Sequence, residues 1–184
     1  MALGVGTLTS QTNSTATDVY NTAVGHAAGN QITTATRSVL IGGLSGDALT
    51  TGSRNHVIGY NALGADTLGA RATALGYGAL QTQNFTTATE NYNVALGYNA
   101  GVSVTTGIHN TLLGALAGDG LQDADRNIAI GYQALTEDDL GSRTVAIGAG
   151  AVFSQNYATA TDSHNIGIGD LSLFGDRDWE TIPS

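Results

Sequence analysis

The chain has 184 residues, 26 of them Gly, no Cys, and a net charge of −9. Without Cys it holds neither a disulfide framework nor a thiolate metal site. So acidic a balance disfavours a sequence-independent nucleic-acid binder, which needs a cationic surface to displace counterions. Charged residues make up only 11% and apolar residues 41%, which argues for a packed core over a disordered chain.

The opening "MALGVGTLTS" has neither a basic start nor a sustained apolar run, so no secretory signal is expected. From Gly4 onward, one Gly closes each apolar segment: Gly4, Gly25, Gly42, Gly59, Gly76, Gly97, Gly114, Gly131, Gly148 and Gly169. The intervals between these markers run 21, 17, 17, 17, 21, 17, 17, 17 and 21. A short unit of 17 is thus nested in a long unit of 72, the signature of a repeat architecture. The longer variant of the coil is written three times, as "QTNSTATDVYNTAVG", "QNFTTATENYNVALG" and "QNYATATDSHNIGIG".

Relative to the marker Gly, the fourth residue before is mostly Asn: Asn21, Asn55, Asn93, Asn110, Asn127 and Asn165. The residue before it is always aliphatic, the second before is usually Ala, the next after is often Tyr, and the third after is small. Apolar residues at alternate places predict a strand, and polar remainders such as "TEDDLGSR" predict turns. A helical repeat needs about thirty residues for its two helices, so a unit of 17 predicts one coil of a solenoid, paired in parallel with the next about 4.8 Å away. The expected fold is an all-β parallel β-solenoid of about ten coils over residues 1–173, with a cap or docking tail over 174–184. Phe174 and Trp179 are the candidates to plug the last coil. No segment approaches the ~18 apolar residues of a membrane helix.

Each strand has two faces. The aliphatic residue beside the Gly is expected to point into the coil. The opposite face carries Ala23, Ala74, Ala95, Ala129 and Ala146, too small and apolar for a watered surface. Either it packs on the chain's own return segment, or further copies cover it in a homotrimer closed by cyclic symmetry. On the trimeric reading Ala129→Arg attacks association, and Ile130→Asp attacks folding by placing a charge between coils.

The repeated "N-x-A-I-G" strand resembles the head repeats of trimeric autotransporter adhesins. "NIAIGYQAL", "NVALGYNAG" and "NHVIGYNAL" resemble repeats in bacteriophage tail fibres and virion appendages still more. The resemblance implies a trimeric β-roll fibre on the virion surface, outside the cell. Its partners would be its own copies, other virion proteins at either end and, in one reading, a host-surface glycan. The head of a bacterial adhesin and a plain fibre spacer are the alternatives. The pattern starts in mid-unit, which implies a longer fibre or an amino end docked on another protein.

Five residues before the marker Gly stand Tyr20, Arg37, Arg54, Arg71, Tyr92, His109, Arg126, Arg143 and His164. Five of the six Arg occupy this column. Stacked like charges need anions, so the column reads either as a set of ion pairs, with acids such as Asp66 and Asp125, or as a groove for an anionic glycan. The Asn column reads as an amide ladder or as turn support. The "TAT" triplets at 15–17, 34–36, 87–89 and 159–161 read as loop extensions, because an ice-binding array would need them in successive coils. The acids at 119–125 and 137–139 match no calcium motif and read as solvated turns. No hydrolase, metalloprotease or phosphate-loop motif is present, and the absence of Lys excludes a P-loop. The expectation is a protein with no catalytic residue, metal or cofactor, and without membrane insertion or nucleic-acid binding.

Overall fold

Every apolar segment becomes a short strand that its Gly ends. The structure is a computed structural model that describes residues 1–12 and 18–175. Among the described residues there are fourteen strands and no helix. They are β1 (Ala2–Leu3), β2 (Thr22–Val24), β3 (Val39–Ile41), β4 (His56–Ile58), β5 (Gly69–Ala70), β6 (Thr73–Leu75) and β7 (Thr89–Glu90). The series continues with β8 (Val94–Leu96), β9 (Thr111–Leu113), β10 (Ile128–Ile130), β11 (Gly141–Ser142), β12 (Val145–Ile147), β13 (Thr161–Asp162) and β14 (Ile166–Ile168). Ten of them form one parallel sheet in the order β1-β2-β3-β4-β6-β8-β9-β10-β12-β14. Two further parallel pairs, β5 with β7 and β11 with β13, form separate ribbons.

The register follows the markers. Thr22 pairs with Val39 and Val39 with His56, one short interval on each time, while Thr73 pairs with Val94 across a long coil. The chain is a parallel β-solenoid of about ten turns. Ten strands one spacing apart make a sheet roughly 45 Å long.

The faces are the reverse of those expected. The middle residue of each strand points inward: Ala23, Leu40, Val57, Ala74, Ala95, Leu112, Ala129 and Ala146 are completely buried within the single chain. The Ala residues expected at a trimer interface therefore line the bore of the coil and are closed to any partner. The aliphatics beside the Gly face outward, with Ile58 41% and Leu96 50% exposed. The reason is volume. So short a coil encloses little space, and Ala28, Ala62 and Ala79, with Leu63, Leu80, Leu121 and Leu135, already fill it.

The marker Gly is held by two constraints at once. Gly114 has φ +136°, and a Cβ there would lie 2.5 Å from the carbonyl oxygen of Gly131 in the next coil. Both the backbone conformation and the contact exclude a side chain. Gly114→Ala should cost about 3 kcal/mol or more, from strain plus overpacking. Equilibrium denaturation would check this, and a wild-type midpoint would contradict it.

The Asn column performs both structural roles at once. Asn110 donates from Nδ2 to the Ala124 carbonyl at 2.8 Å, and its Oδ1 accepts from the Asn127 N–H at 2.9 Å. Asn127 repeats this toward Gly141 and Thr144. Each such amide ties the two sides of its own coil and stitches the coil to the next, except in Asn165, whose Nδ2 turns to Gln155 and Tyr157.

Once per long repeat the bore holds a polar chain. The buried Asp66 carboxylate accepts from Gly69 N–H at 2.9 Å and from Gln83 Nε2 at 2.7 Å. Asn93 Nδ2 donates in turn to Gln83 Oε1 at 2.8 Å. Asp138, Gln155 and Asn165 repeat the arrangement. Two expectations fail here: Asp66 engages Gln83 and backbone, with no Arg against it, and Asp138 is buried, not a solvated turn. Hydrogen bonding is what makes a carboxylate tolerable at that depth.

Burial pushes both carboxyls above their ordinary range, against the hydrogen bonds that lower them. The folded state thus holds the proton more tightly than the unfolded one. The stabilisation this gives is complete below the unfolded pKa and is lost as the pH rises through the folded pKa. Melting temperature should therefore fall as the pH climbs from acid through the range in which the two carboxyls titrate. The double variant Asp66→Asn/Asp138→Asn should flatten the fall above the ordinary carboxylate range, as thermal melts would show. An unchanged slope would remove these two groups as its cause.

Candidate functional site

The Tyr/Arg/His column forms a ladder up one corner of the solenoid. Its backbone is hydrogen-bonded from coil to coil: Arg54 N–H donates to the Thr36 carbonyl at 2.9 Å, and Arg126 N–H to the Ile108 carbonyl at 2.9 Å. Every member, from Tyr20 through His164, has positive φ, between 49° and 67°. That left-handed conformation costs an L-residue about 1–2 kcal/mol. The corner turns these side chains outward: Tyr20, Arg37, Arg54, Tyr92, His109, Arg126, Arg143 and His164 are exposed and Arg71 is half-buried.

Much of the ladder is satisfied within the chain. Arg71 pairs with Glu90 at 2.8 Å and Arg143 with Asp162 at 3.0 Å, two pairs one long repeat apart. Arg126 lies 3.8 Å from Asp125. The Tyr92 hydroxyl donates to Glu90 at 2.7 Å, the Arg71 guanidinium lies over the Tyr92 ring, and that ring stacks on His109 at 5.4 Å. The Tyr92 hydroxyl, and after it Arg71, hold the Glu90 carboxyl below its usual range. Of the two acids expected as partners, Asp125 is in place and Asp66 is not. Glu90 and Asp162 take the role, together with Asp18, which accepts from the Tyr20 hydroxyl at 2.9 Å. Their signal in the sequence is a spacing of 72, two residues before each of Tyr20, Tyr92 and His164. Arg37 and Arg54 make no ion pair among the described residues.

A second surface lies on the outer face of the ten-stranded sheet. Its rows are the aliphatic residues before each Gly and a mixed row of Val, Ile, Thr and His two residues earlier. Beside them Tyr60, Tyr77 and Tyr98 stack in sequence at 5.6 and 5.5 Å. A continuous aliphatic face of this length is more than singly scattered apolar residues, and such patches mark interaction surfaces.

The Phe174 ring lies 5.0 Å from that of Phe153 and is 44% exposed, while Trp179 lies outside the described residues. So does the first "TAT" triplet. In two others Thr89 and Thr161 donate to the carbonyls of Thr87 and Thr159, curling each segment on itself. Among the described residues no group of three or more His, Asp or Glu is placed to hold a metal ion.

The fold and its two surfaces define a β-solenoid repeat protein. The chain matches no family model, no curated protein and no solved structure.

Proposed function

We propose that the chain is a non-enzymatic virion appendage, a tail or capsid fibre, that assembles as a parallel homotrimer and takes part in attachment to the host surface. The observation that carries this reading is the aliphatic sheet face, which the chain itself leaves uncovered. Three copies side by side about a threefold axis would bury it, with identical coils at identical heights. The resemblance of the repeats to those of phage fibres supports the trimer and the location. A stiff rod with charged and aromatic residues along one corner suits a protein that spans a distance and presents a surface.

Light scattering on the purified chain tests the assembly. The expected mass is three times the 18.6 kDa of one chain, and a monomer at micromolar concentration overturns the trimer. Antibodies raised against the chain test the location. Labelling of fibres on virions, with slower adsorption when free chain is added, is the expected result. Labelling of a bacterial envelope would transfer the reading to an adhesin head. Labelled virions with unchanged adsorption would leave a spacer.

A further inference from the structure

We propose that the Tyr20–Arg37–Arg54 stretch of the ladder is a binding strip for an anionic glycan. The two guanidiniums would engage a sulfate or carboxylate, and the Tyr20 ring would lie against a neighbouring sugar. The proposal rests on the attachment reading above and assigns it a ligand class and a place.

Three observations converge on this stretch. The first is conformational. Each coil has other left-handed corners, two and four residues after the marker Gly, and there the chain uses Gly freely: Gly6, Gly78 and Gly150 at one, Gly29, Gly46, Gly101 and Gly118 at the other. The ladder corner has the same sign of φ in nine coils and never uses Gly. A strained conformation kept with a large side chain where Gly would relieve it points to a use for the side chain.

The second is the balance of charge. Elsewhere in the ladder the side chains have partners: Arg71, Arg126 and Arg143 face carboxylates of the chain itself, and a ring nitrogen of His164 lies 3.1 Å from the Asp162 carbonyl. Arg126 has Asp125 beside it, but at the matching place one long repeat earlier Arg54 is preceded by Ser53. The acid is missing where its repeat has one, and the Ser53 hydroxyl is occupied by the Thr36 N–H at 3.0 Å. Asp18 accepts from the Tyr20 hydroxyl and Glu90 pairs with Arg71; Glu90 also feels Arg54 through space, but neither acid makes an ion pair with Arg37 or Arg54. Arg37 and Arg54 stand in successive coils, about 4.8 Å apart at the backbone, and two like charges at that spacing are stabilised by a shared anion.

The third is context. The chain carries a net charge of −9, so most of its surface repels a polyanion. Binding has to be local, where the potential is reversed. Tyr20, 66% exposed, adds a flat amphipathic ring to the same strip.

The test is titration of the full chain with two labelled probes, a heparin octasaccharide bearing sulfate and carboxylate and an oligosialic acid of like length bearing carboxylate alone. At least one should bind, and more weakly as salt rises. The double variant Arg37→Gly/Arg54→Gly suits the corner conformation, so its melting temperature should be unchanged or raised while affinity falls at least tenfold. Arg126→Gly/Arg143→Gly, at ion-paired rungs of the same ladder, should keep its affinity within twofold. Binding of the heparin probe alone assigns a sulfate, and binding of both assigns a carboxylate. Failure of both probes to bind, or equal loss in both double variants, overturns the strip. If free chain slows adsorption while neither probe binds, the strip falls and the attachment reading stands. If a probe binds at this strip but virions are not labelled, the reverse holds.

Discussion

Ala129→Arg yields no folded rod. Ala129 is the central residue of β10, paired with Leu112 on one side and Ala146 on the other, and is completely buried in the bore. An Arg there adds a long side chain where packing is already full, at about 1–3 kcal/mol or more. It also buries a guanidinium with no acid to meet it, a penalty of several kcal/mol. The sum rivals the whole stability of a domain of this size, about 5–15 kcal/mol. In a solenoid each coil is held only by its neighbours, so a failed β10 also strips β12 and β14 of support. Circular dichroism and solubility after expression would decide the matter. A soluble variant with a wild-type spectrum would place Ala129 outside the coil.

Ile130→Asp, one residue along, should fold and fail to assemble. Ile130 lies on the outer face between Leu113 and Ile147. In the single coil an Asp there meets water and costs about 1 kcal/mol through lost strand propensity and side-chain packing. At a threefold axis three such carboxylates would be desolvated together, each at a cost of several kcal/mol. Light scattering should give one chain mass beside a near-normal melting curve. A trimer would clear the aliphatic face of any part in assembly, and an unfolded variant would return Ile130 to the interior.

These two variants invert what the strand pattern alone implies, and the inversion has a physical cause. Alternation separates two faces but does not say which one is inside. With mostly Ala on one face and Ile or Leu on the other, the larger residues are the natural choice for a core, yet the bore of a short coil takes the mostly smaller face, with Leu40, Val57 and Leu112 among its Ala and a few Leu from the turns. The register is fully legible, because pairing in the ten-stranded sheet follows the spacing of Gly markers that the sequence prints outright. The ladder is legible as a column. Its left-handed backbone is not, since Arg, Tyr and His give no hint of positive φ. The Asp66–Gln83–Asn93 chain is hidden for another reason: it belongs to the long unit, and Asp66 viewed within one coil resembles any turn acid.

That polar chain also sets how such a rod can lengthen or shorten. Along the column seven residues after each marker, Asp66 must sit directly beneath Gln83 and Asp138 beneath Gln155. Loss of one short coil, residues 60–76, would set Gln83 over Leu49 and leave its amide without an acceptor. Loss of residues 77–148 joins Gly76 to Ala149 and hands Asp66 to Gln155, with every rung matched. A deletion that parts an Asp from its Gln is thus penalised, whereas loss of a whole block of four coils keeps every rung and shortens the rod by about 19 Å. The buried carboxylate works as a key that fixes which coil can follow its own.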